Sequence, residues 1–143
     1  MIVGQLREPP GQCGESVPFV QLRPALITGE VDRVTEFEHG MPPQHQAWDG
    51  HGWRHDPAVN DDQALVINVR DRGLVVITGF HLSGPAFEPV IAPTVAALTE
   101  LAPELIVPGH CTGWRAQHAL AATLPAAWVQ TSVGTTYTLS AVA

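Results

Sequence analysis

The apolar positions of this chain fall into short runs divided by turn residues, and into two stretches with helical spacing. Residues 63–70 and 74–78 are rich in Val, Ile and Leu and are divided by Asp71, Arg72 and Gly73, which predicts a β-hairpin. A hairpin sets the start of its first strand beside the end of its second. Residues 92–101 carry Val95, Leu98 and Leu101 as an apolar stripe, with Pro93 suited to a first turn and Pro103 beyond the end, which predicts a helix. Residues 105–107 are branched and apolar, as in a strand buried on both faces. Residues 114–122 read as a second helix, capped by Thr112 and stopped by Pro125.

Strand, helix, strand predicts a right-handed crossover between parallel strands. Their carboxyl ends then face one way, so His81 and His110 come to a common edge, and the hairpin brings Asp61 and Asp62 there. In open α/β sheets ligands bind at that edge. Residues 19–22 and 25–28 read as short strands broken by Pro24, and 127–131 and 136–139 as two final strands. Residues 1–18 are rich in Gly, Pro and polar groups and are expected to be poorly ordered. Residues 38–60 form a long connection rich in Pro, Gly and His. Its four histidines match no metal-ligand spacing, and the expected state is a solvated loop anchored by Trp48 and Trp53.

Composition narrows the function. A chain of 143 residues suits one domain. The net charge of −7 argues against a nucleic-acid partner, because phosphate contacts need a basic face. No apolar run approaches the length of a membrane span. The first residues lack the pattern of a signal peptide, and two cysteines, Cys13 and Cys111, are too few for a disulfide framework. A cytoplasmic location is expected.

Several runs together carry a family resemblance: Asp61-Asp62-Gln63-Ala64-Leu65, Gly73 to Gly79, Phe80-His81-Leu82-Ser83-Gly84-Pro85, Val107-Pro108-Gly109-His110-Cys111-Thr112-Gly113-Trp114-Arg115-Ala116, and Ser132-Val133-Gly134-Thr135. In this order the chain resembles the metallo-β-lactamase superfamily, most closely its dihydropterin methyl-ribofuranosyl-aminobenzene phosphate synthase-like branch, which is linked to methanopterin chemistry. The resemblance covers most of residues 25–136. It implies an α/β fold: a partial, half αββα sandwich with a mixed sheet and about two helices, spanning 19–143. It also implies zinc, iron or manganese, and a small-molecule substrate in the parent family.

The position of His110 alone leaves it open between a ligand and an ordinary loop histidine. The resemblance makes it the descendant of a metal ligand, and makes His81 a site-edge residue for substrate or metal. Asp61 and Asp62 are read either as acceptors that orient a ligand histidine or as a hairpin cap and a solvated group. Cys111 is open between a soft ligand, a nucleophile and an inert buried thiol, the last being favoured. Thr112 belongs to the same loop. Arg115 is open between an anionic substrate group and a local partner.

Two departures matter. The family's His-x-His-x-Asp-His motif is missing, and no His-x-His occurs in the sequence. The family's Gly-Cys-x-His-Ala-Gly loop is also missing, since Thr78-Gly79 runs straight into Phe80-His81-Leu82. The expectation is therefore a truncated relative, inactive alone, with metal held weakly or not at all. A half-sandwich also leaves a sheet face open, which predicts a homodimer or a covering partner. The alternative functions are a small-ligand-binding module and a self-associating interaction domain.

Overall fold

The computed structural model describes residues 20–22, 25–29, 34–57, 59 and 62–139. The expected disorder of 1–18, Cys13 and the candidate Asp61 lie outside the described residues.

A five-stranded mixed sheet organises the chain in the order β1 (Val20–Leu22), β2 (Ala25–Ile27), β5 (Leu65–Val69), β6 (Gly73–Thr78), β7 (Leu105–Pro108). The predicted hairpin is β5–β6, antiparallel, with Leu65 opposite Ile77 and Val69 opposite Gly73. Asp71 takes a left-handed conformation, φ 61°, in the turn, where the short polar side chain of Asp tolerates it. β6 and β7 are parallel, with Val76 opposite Ile106, and the helix α1 (Glu88–Leu101) connects them. The parallel crossover read from the sequence is therefore present. After β7 come a short 3₁₀ turn, His110–Thr112, and the helix α2 (Trp114–Thr123).

Both helices pack on the sheet face that carries Ile106. That residue joins Val95 and Leu98 of α1, Ala116 and Leu120 of α2, and Phe80, Leu82 and Ala127 in one core cluster. Alternation along the strands puts Ile27, Leu65, Ile67, Val75, Ile77, Leu105 and Val107 on the other face. Its centre is closed, with Val75 0% and Val107 1% exposed. Ile27, Leu65, Ile67, Ile77 and Leu105 around that centre are only half-buried.

Several expectations are corrected. α1 starts at Glu88, four residues before the expected 92. Pro89 holds its first turn, and Pro93 lies inside the helix. Proline tolerates a first turn because the N–H it lacks has no partner there. Thr112 does not cap α2. Gly113 stands at that position, and the Thr112 hydroxyl turns inward to accept a hydrogen bond from the Phe80 N–H at 3.3 Å. Residues 127–131 form a single parallel bridge, Trp128 with Ile106, and 136–139 form no strand. The long connection also holds structure: β3 (Gln46–Trp48) and β4 (Trp53–His55) make a separate hairpin.

The tryptophans of that hairpin do not anchor it to the core. They are 58% and 67% exposed and pack edge to face on each other, 5.8 Å between ring centres. A cross-strand aromatic pair is a source of hairpin stability that needs no core. Asp49 braces the turn by accepting from the His51 and Gly52 N–H groups and pairing with Arg54. The His51 N–H, then Arg54 and the Gly52 N–H, hold the Asp49 carboxyl below its usual range. His45 and His55 hydrogen-bond the Asp56 and Met41 carbonyls, so these histidines serve local backbone structure.

Leu98 is 2% exposed at the centre of the helix-side core. Leu98→Ala is expected to cost about 2–5 kcal/mol in urea denaturation, through lost burial and the cavity left behind.

Candidate functional site at the carboxyl edge of the sheet

The edge is fixed by backbone bonds made where β5 begins and β6 and β7 end. The Thr28 N–H donates to the Ala64 carbonyl, and the Ala64 N–H donates to Thr28 Oγ1, both at 3.0 Å. Thr78 Oγ1 donates to the Gln63 carbonyl at 3.3 Å. The segment carrying Asp62 is therefore tied to the end of β6, as the hairpin argument requires. On the other side, the Gly109 N–H donates to the Thr78 carbonyl at 2.7 Å. A Cβ on Gly109 would stand 3.2 Å from the Gly79 Cα. The glycines let the two strand exits lie almost in contact.

Asp62 and His81 meet at this edge. One Asp62 oxygen accepts the Gln63 N–H at 3.1 Å, and the other lies 3.4 Å from His81 Nε2. The imidazole thus faces a carboxylate that its own strand entry holds in place. His81 has φ 47°, the left-handed region that a non-glycine residue enters at a cost. That conformation follows directly on the tight exit through Gly79 and Phe80, whose ring is 2% exposed.

Cys111 reaches the same place from β7. It is a free thiol of intermediate exposure. A Cβ on Gly79 would lie 2.1 Å from Cys111 Sγ and 3.8 Å from His81 Nε2. The sulfur and the ring nitrogen therefore border one small volume over the Gly79 backbone. In sequence 30 positions separate the two residues, and only the parallel pairing of β6 with β7 brings them to one edge.

The remaining candidates divide. His110 opens the 3₁₀ turn, is exposed, and its carbonyl accepts the Gly113 N–H at 3.4 Å. Thr112 is fully buried. Arg115 pairs with Glu88 of α1 at 2.7 Å, the local partner that was one of its two readings. Trp114 is 72% exposed and packs at a tilt against His118, 4.0 Å between ring centres.

A metal centre of the kind the fold implies needs three or more fixed donors around one point. Among the described residues no three His, Cys, Asp or Glu side chains are so grouped. The donors described at this edge do not fit that centre.

Among solved structures, the chain is similar to Tm1679, described as a metal-dependent hydrolase of the β-lactamase superfamily. The TM-score is 0.64 and the identity 23%, over 85% of this chain and 56% of that one. The protein therefore has a partial β-lactamase-like fold: a mixed sheet with two helices on one face. It spans little more than half the length of that hydrolase. No family model and no curated protein sequence matches the chain. No helix among the described residues is long and apolar enough to cross a membrane.

The contact over Gly79 is directly testable. Gly79→Ala is expected to destabilise by about 1–3 kcal/mol, because the new methyl meets the Cys111 sulfur. Cys111→Ala in the same chain removes that atom and should restore most of the loss. A double-mutant cycle in urea measures it, and strictly additive effects would refute the packing.

Proposed function

We propose that this chain is a metallo-β-lactamase-fold relative of metal-dependent hydrolases that, by itself, holds no binuclear centre and performs no metal-hydroxide hydrolysis. The observation that carries the reading is the donor count at the carboxyl edge. His81 is engaged with Asp62, His110 is exposed, and the described residues gather no third donor with them. The absence of His-x-His from the sequence supports it. Water becomes a nucleophile near neutral pH only when several ligands fix the metal and leave a position open.

In this reading His110 and His81 are remnants of a ligand set, with Asp61 and Asp62 behind them, and any zinc, iron or manganese is held weakly. The dihydropterin methyl-ribofuranosyl-aminobenzene phosphate synthase-like branch, a truncated ligand set and a small-molecule substrate inherited from the parent family all belong to the proposal.

Elemental analysis of the purified chain tests it, with His110→Ala alongside and with bis(p-nitrophenyl) phosphate turnover measured in added zinc or manganese. The expected outcome is well below about one metal per chain and no turnover difference between the two proteins. Near-stoichiometric metal in the wild type, lost in His110→Ala together with metal-dependent turnover, would overturn the proposal.

A second reading, self-association without catalysis, is favoured by the half-buried rim of Leu65, Ile67, Ile77 and Leu105 on the sheet face away from the helices. It expects a dimer in light scattering that survives His110→Ala and dissociates in Ile77→Lys. A monomer at high micromolar concentration would exclude it.

A further inference from the structure

Asp49 and Gly50 form the only Asp-Gly pair in the sequence, which holds no Asn-Gly. They lie in the turn between β3 and β4. Such a pair is open to backbone rearrangement, because glycine has no Cβ to shield its nitrogen from the neighbouring carboxyl. Gly50 is exposed, at φ 92°, and a Cβ built on it would meet nothing within 4 Å. The turn therefore has space for a small ring to close.

The same turn withholds the carboxyl. Asp49 Oδ1 accepts the His51 N–H at 2.9 Å and the Gly52 N–H at 2.8 Å, and Oδ2 pairs with Arg54 Nε. Both oxygens are thus engaged by groups beyond Gly50. The Asp49 N–H donates to the Gly52 carbonyl at 3.1 Å, which fixes the backbone on either side of Gly50. The His51 N–H, Arg54 and the Gly52 N–H favour the charged carboxylate. Ring closure needs the neutral carboxyl, whose OH can leave.

We infer that Asp49–Gly50 is a latent isomerisation site, held dormant by this clamp, and that its conversion to isoaspartate unlocks the β3–β4 hairpin. The inference is independent of the proposed function and of the carboxyl edge of the sheet. In the reaction the Gly50 nitrogen bonds to Asp49 Cγ and loses its proton as the Cγ–OH bond breaks. One water departs and a succinimide remains. Water then opens the ring. Attack at Cγ restores aspartate. Attack at the main-chain carbonyl carbon of Asp49 breaks that carbon's bond to the Gly50 nitrogen, so the chain then runs through Cβ and Cγ. The turn gains a backbone carbon, and the new carboxylate stands on Cα, no longer at the end of the side chain that braces the turn. The Trp48–Trp53 contact across the strands then loses its register.

The test incubates the full chain in neutral buffer and measures isoaspartate at position 49 by peptide mapping. Beside it run Arg54→Gln, Arg54→Lys, the full chain in guanidinium chloride, and a synthetic peptide of residues 45–56. The folded wild type is expected to isomerise about tenfold or more slower than the peptide, since bonds to the charged carboxyl must be given up first. Arg54→Gln should fall between the two, Arg54→Lys should recover part of the protection, and denaturant should bring the full chain to the peptide rate. Near-ultraviolet circular dichroism follows the tryptophan pair. Its signal should persist in fresh Arg54→Gln and fade as isoaspartate accumulates in any of the folded chains. Isomerisation of the folded wild type at the peptide rate would overturn the inference. So would equal rates in the wild type and Arg54→Gln, or isoaspartate that accumulates with the tryptophan signal unchanged.

Discussion

The parallel pairing of β6 with β7 is the constraint on which the rest of this structure depends. It sets Thr78 opposite Pro108, so both strands end together. A proline at that position has no N–H to give, and the next N–H, of Gly109, binds the Thr78 carbonyl instead. The two exits then run through Gly79 and Gly109 almost in contact, which no residue with a side chain would permit without a shift. From that contact the loops diverge, one to Phe80 and His81, the other to His110, Cys111 and Thr112. The Phe80 N–H bound to the Thr112 hydroxyl ties them together again.

The core and the site share this edge. Phe80, Leu82 and Ile106 belong to the cluster that holds α1 and α2 against the sheet. His81 lies between two of its residues in sequence, and its side chain meets Asp62 at the edge while theirs go inward. Burial of the flanking residues therefore holds the imidazole in its left-handed backbone conformation. The fold stabilises a local conformation that the histidine by itself disfavours. Cys111 and His81 thus border one glycine, and Asp62 meets His81 from the segment before β5.

Likeness of fold to a metal-dependent hydrolase does not transfer its chemistry, because function resides in the side chains placed at a site. The edge occupies the place where such sheets bind ligands, yet its described donors are a thiol, an imidazole and a carboxylate that do not form a three-donor metal group.

The sequence by itself determined the elements whose signals are local: the β5–β6 hairpin from its Val-, Ile- and Leu-rich runs and Asp-Arg-Gly turn, α1 and α2 from periodicity and proline, and β7 from its branched residues. Connectivity then brought Asp62 and His81 to one edge before any contact was seen. The β3–β4 hairpin was not legible, because two exposed tryptophans supporting each other resemble two residues sent to a core. Nor was the role of Thr112, since a hydroxyl before a helix usually caps it, and here the Phe80 N–H arrives from another strand. Tertiary structure alone decided that Cys111 lies over Gly79 beside His81 and that Arg115 spends its charge on Glu88. Those contacts join residues about 30 positions apart or across two helices. Only the strand register and helix packing specify such distances, and a local pattern carries no record of them.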